Sequence, residues 1–104
     1  MQITLFYIPI SNGSEANALG QQAIDHRLAA CMNTFPILSR FPWEGAIQNE
    51  EEFVLILKTT LPLKDKLRHF ISEHHPYKLP CIISWDVEVN DAYGKWVEAY
   101  VLTS

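Results

Sequence analysis

The stretch from Cys31 to Lys58 restricts the fold more than any other. From Cys31 the pattern has a period of two: Ile37, Ser39, Phe41 and Trp43 share one face of an extended strand, while Leu38, Arg40, Pro42 and Glu44 share the other. Trp43-Glu44-Gly45 reads as a tight turn in which Gly45 is free to take a positive φ. Ala46 to Lys58 return as a second strand, polar from Gln48 through Glu52 and apolar from Phe53 to Leu57. The pair is a long hairpin whose tip projects from the domain body. Pro36 and Pro42 lack the N–H that a central ladder needs, so the outgoing strand is expected to be irregular or to lie partly at a sheet edge. A two-stranded ribbon alone is marginal in water. Between Leu38 and Leu57 this one carries Phe41, Trp43, Ile47 and Phe53, and those groups need a partner.

The flanking segments supply part of that partner. Ile3 to Ile10 is an apolar run of strand propensity whose regular part ends at Pro9. Ser11-Asn12-Gly13-Ser14 reads as a loop closing on an N-cap, and Glu15 suits the positive end of a helix dipole. Ala16, Leu19, Ala23, Ile24 and Leu28 recur at helical spacing, so an amphipathic helix is expected from about Ser14 to Ala30, with Gly20 marking close packing on a sheet. After the hairpin, Thr59 or Thr60 is expected to cap a helix with Pro62 in its first turn and Pro76 at its stop. Its buried stripe is Leu63, Leu67, Phe70, Ile71 and His74. Cys81 to Val89 is expected as the last strand, and Asn90 or Asp91 as the cap of a short terminal helix with a stripe of Tyr93, Trp96, Val97 and Tyr100.

This order is that of two split strand–helix–strand units, which give a four-stranded antiparallel sheet with both main helices on one face. The expected class is α+β: a ferredoxin-like βαββαβ sandwich, residues 1–104 forming one domain, with the long hairpin between its second and third strands and an added C-terminal helix. Only that short helix is available to the other sheet face. Subunits pairing edge to edge would bury the bare face and the hairpins together, so an oligomer is expected on these grounds alone.

Composition removes several classes of function. Of 104 residues, 48% are apolar and 19% charged, which excludes a disordered tail. The net charge is -4 and the basic residues are scattered, so no stripe exists to track phosphates and nucleic acid is not expected as a partner. No apolar run approaches the ~20 residues of a bilayer crossing, and no membrane association is expected. The run Ile3 to Ile10 has no basic flank and reads as no signal peptide, which makes the cytoplasm the expected location. The four glycines form neither a phosphate loop nor a dinucleotide pattern.

The residues that could carry chemistry are few. His74-His75-Pro76-Tyr77 stands at the end of the second helix, where neutral imidazoles suit copper, zinc or nickel. Adjacent histidines do not share a helix face, so the chelate of a zinc enzyme is excluded. Equally, His74 reads as part of the apolar stripe and His75 as a cap to the helix dipole. Cys31 and Cys81 are too few and wrongly spaced for a disulfide framework; each reads first as a small buried thiol and second as a soft metal ligand. Glu50-Glu51-Glu52 reads as a solvated stretch. A cysteine nucleophile would need an orienting group and an oxyanion hole, and neither is announced, so no catalysis is expected.

Leu28-Ala29-Ala30-Cys31-Met32-Asn33, Trp43-Glu44-Gly45, Leu57-Lys58-Thr59-Thr60, His74-His75-Pro76-Tyr77 with Pro80, and Asn90 with Tyr93 and Trp96 follow one another in order. In this the chain resembles the CutA family of divalent-cation tolerance proteins, over about Ile3 to Val97. The resemblance implies a ferredoxin-like subunit in a tight homotrimer, similar to the PII signalling proteins, and a role in tolerance of copper or another divalent metal ion. By matching motifs, His74 and His75 resemble the family's proposed copper ligands, with Cys31 as a further thiol near the subunit junctions. Phe6 stands where some members carry a ligating Cys, and Cys81 where Glu is common. The alternative is a PII-like trimeric scaffold that binds a small ligand or a protein in its inter-subunit clefts, without a physiological metal.

Overall fold

The computed structural model describes residues 1–103. Its elements run β1 (Gln2–Ile10), α1 (Gly13–Asp25), β2 (Cys31–Trp43), β3 (Ala46–Thr59), a 3-10 turn (Leu61–Leu63), α2 (Lys64–His74), β4 (Ile83–Glu88) and α3 (Asp91–Tyr100). Among the described residues the strands form one antiparallel sheet in the order β2-β3-β1-β4, the ferredoxin-like arrangement. Alternation along the strands sorts the side chains. Phe6, Ile8, Ile10, Leu55 and Leu57 face the helices and pack with Ala16, Leu19 and Ala23 of α1 and with Leu67 and Ile71 of α2. α1 approaches the sheet closely because a Cβ on Gly20 would lie 2.5 Å from the Met32 sulfur. Lys64 ties the start of α2 to β4 through Asp86, which also accepts from Thr4. Those two bonds, Lys64 first, hold the Asp86 carboxyl below its ordinary range.

The opposite sheet face is barely covered. Leu5, Lys58 and Cys31 stand in one register row, and Pro9, Val54 and Phe35 in another. α3 reaches the first row, where the Lys58 ammonium lies 5.4 Å from the Tyr93 ring centroid. Beyond it, Phe35, Ile83 and Trp85 stay 42%, 47% and 42% exposed. Both β2 and β4 are edge strands. The hairpin extends past the helices and stretches the subunit to 46 Å against 23 and 21 Å across.

Several expectations change. β2 is an edge strand, but it is regular, paired with β3 from Cys31 to Trp43 across both prolines. An edge strand leaves alternate N–H groups without a ladder partner, which is why proline is tolerated there. α1 ends at Asp25, not Ala30. Arg27 takes a left-handed φ of 57°, and Arg27 and Leu28 return their N–H groups to Ile24 and Ala23, closing the helix as a Schellman motif. Its cap at the other end is Asn12, which accepts from Glu15 N–H. β4 is shorter than expected and leaves Cys81 outside it. Trp96 is 52% exposed, because α3 turns Gly94 and Val97 inward instead. Neither thiol is fully buried: Cys31 is half-buried and Cys81 exposed.

The hairpin turn holds two consecutive left-handed residues, Glu44 at φ 49° and Gly45 at φ 82°. This is the mirror-image turn that matches strand twist, and glutamate is poorly suited to its first place. Glu44→Asn is expected to stabilise the protein by about 0.5–1 kcal/mol, and Gly45→Ala to destabilise it by about 1–2 kcal/mol. Urea midpoints at fixed protein concentration check both.

Candidate functional site

The chemistry-bearing motif sits where α2 ends. Pro76 cannot continue the helix, so His75 leaves it with extended backbone (ψ 134°) after donating its own N–H to Ile71. That turn separates two imidazoles that are neighbours in sequence. His74 stays on the outside of α2, stacked on Phe70 with ring centroids 4.1 Å apart. Its Nδ1 lies 2.8 Å from the Phe70 carbonyl, which directs Nε2 away from the helix. It borders a small cavity of about 200 Å³ together with Glu15, Gln22 and Pro76. His75 turns inward and is 8% exposed. The expected roles are thus exchanged: His74 does not join the apolar stripe, and His75 is buried.

His75 is held on both sides. Its Nε2 lies 2.9 Å from the Pro9 carbonyl, and its Nδ1 accepts the Tyr77 N–H at 3.1 Å. Tyr77 crosses to the base of the hairpin and donates its hydroxyl to Glu52 at 2.6 Å. Glu52 is only 6% exposed, although it reads in sequence as part of a solvated acidic run. The signal was available in the period of two, which sets Glu52 on the same face as Val54 and Ile56 while Glu51 points away. Burial, then the Glu52 carboxylate, raises the Tyr77 phenol far above its ordinary value. Cys81 is exposed at its surface, yet partial desolvation and then the same carboxylate push its thiol up.

Cys31 belongs to a different neighbourhood. It opens β2 in register with Lys58, at the end of the sheet face that Tyr93 covers. Its sulfur lies 3.8 Å from the Met32 carbonyl and 3.9 Å from Asn33 Oδ1. His75 meets β1 at Pro9, whereas the Cys31 row crosses β1 at Leu5. The structure therefore does not bring His74, His75 and Cys31 together within one chain. Among the described residues no group of three or more His, Cys, Asp or Glu side chains is placed to hold an ion.

Comparison with known proteins gives this geometry its context. Residues 4–100 match the family described as CutA1 divalent ion tolerance protein. The chain belongs to the CutA1 family. A CutA relative from Thermotoga maritima, a divalent-cation tolerance protein, is 34% identical over 99 residues, covering 94% of this chain and 98% of its own. The crystal structure of CutA1 from Pyrococcus horikoshii superposes with a TM-score of 0.93 at 32% identity, covering 96% of this chain and 99% of that one. The periplasmic divalent cation tolerance protein CutA of Archaeoglobus fulgidus superposes with a TM-score of 0.91 at 32% identity, again over 96% and 99%. The CutA1 resemblance read from the sequence motifs is shown, and so is the ferredoxin-like α+β fold.

The Tyr77–Glu52 contact yields a signed prediction. A phenol whose folded pKa is raised stabilises the protein fully below the unfolded value of about 10, and that contribution is lost as pH climbs towards the folded value. Tyr77 is expected to remain protonated in the folded protein beyond the pH at which free tyrosine ionises. Ultraviolet titration of Glu52→Gln is expected to move one phenol back towards the ordinary range. A parent and variant with the same titration curve would show that the contact does not persist in solution.

Proposed function

We propose that this CutA1 chain serves divalent-cation tolerance as a homotrimer, without catalysis, and that copper or a similar divalent ion is taken up through His74 with donors completed where copies meet. The observation that carries this reading is the unfinished sheet. Its second face leaves Phe35, Ile83 and Trp85 half exposed, and the outer edges of β2 and β4 have no strand partner among the described residues. Apolar area of this kind marks an interaction surface, and free edges invite strand pairing. Two unlike edges on one subunit allow head-to-tail contacts, which close into rings. The number three comes from the resemblance to the CutA family.

His74 supports the metal part of the reading. It is the imidazole of the pair whose Nε2 is left without a partner among the described residues, and it is exposed. One imidazole alone binds copper loosely, so assembly has to bring the remaining donors.

Light scattering at micromolar concentration is expected to give three times the 11.9 kDa chain mass; a monomer would overturn the assembly. Calorimetric titration with Cu²⁺ is expected to show binding that His74→Ala weakens by at least about tenfold, since even losing a ligand's supporting hydrogen bond is felt on that scale. A parent that takes up no copper, or a variant that matches it, would overturn the metal assignment.

A further inference from the structure

The inward imidazole has work that needs no ion. Its Nδ1 accepts the Tyr77 N–H, which requires that nitrogen to be bare. The ring proton is then on Nε2, which donates to the Pro9 carbonyl. The lone pair that could reach an ion is engaged at one nitrogen and absent at the other. Tyr77, fixed by that bond and packed edge-on against the ring at 4.7 Å, delivers its hydroxyl to Glu52. A carboxylate as covered as Glu52 needs a donor, and Tyr77 supplies one.

We infer that His75 is a positioning residue rather than an ion ligand: a hydrogen-bonded strut that pins the Tyr77 backbone to β1 and thereby sets the Tyr77 hydroxyl on Glu52 at the base of the hairpin. One line of bonds joins β1, the connection after α2, and β3. Imidazole is suited to the place because a single rigid ring offers an acceptor and a donor on different sides. Asparagine or glutamine can reproduce one of these contacts but not both. This inference does not depend on the metal reading, because the bonds lie within one chain and close without an ion.

Nitrogen-15 NMR of the imidazole rings, with Zn²⁺ alone as the probe, tests it. His75 is expected to show the neutral Nε2–H form, and its ring signals are expected to stay in place as Zn²⁺ is added. A His75 ring that shifts with Zn²⁺, or that carries its proton on Nδ1, would overturn the inference. Movement or stillness of the His74 ring reads only on the proposed function, so the two can fail separately. In amide exchange, His75→Leu is expected to speed the Tyr77 N–H by at least about tenfold while Leu55 in β3 keeps its protection. His75→Asn, which restores an acceptor near the Nδ1 position, is expected to recover part of the loss. Unchanged exchange at Tyr77 in His75→Leu would overturn the strut, and if that variant does not fold, the tautomer of the parent and the exchange of His75→Asn decide.

Discussion

A sheet of four strands has two faces to bury, and two helices of 13 and 11 residues can cover one of them. That imbalance governs this subunit. The helix side closes into a core with Phe6, Leu55, Leu57, Leu67 and Ile71 fully buried. The other side is closed only at its two ends, by α3 near Lys58 and by Tyr77 near Glu52. Between those ends Val54 is covered, but Phe35, Ile83 and Trp85 stay partly exposed. On this geometry rests the proposal that a second copy of the chain supplies the covering layer.

The same constraint explains why adjacent histidines diverge. The connection from α2 to β4 has to pass round the end of β1, from the helix side of the sheet to its edge. His75 is used at the corner, where it bonds to the backbone of β1 and of the connection itself. His74, one residue earlier, still belongs to the helix and faces solvent. Sequence proximity is therefore a poor guide to spatial proximity here: within one chain the two rings bond to different elements.

The fold was legible because its signals are periodic. The alternation from Cys31 to Lys58, the turn at Glu44-Gly45 and the helical spacing of Leu63, Leu67 and Ile71 each reappear as elements with boundaries close to those expected. The errors have local causes. α1 was extended through Leu28 because Leu28 is buried at a helical interval, yet it is placed there by the left-handed Arg27. Helical spacing puts Trp96 on the buried stripe, whereas the closest packing on α3 is at Gly94, against the Met1 side chain. The site was less legible, since hydrogen bonds spanning 25 residues, as from Tyr77 to Glu52, or 66, as from His75 to Pro9, leave no period in a sequence.

The register of the sheet also carries a kinetic consequence. Trp43 meets Ala46 across the turn, so β2 and β3 can zip together through contacts between near neighbours in the chain. Gln2 meets Glu88, and that pairing closes nearly the whole polypeptide into a loop before it gains anything. One border of the sheet is therefore made early and the opposite border late. During synthesis the long ribbon exists while its eventual companions are still unfinished, and this nascent stage is where the chain has most need of shielding from its own kind.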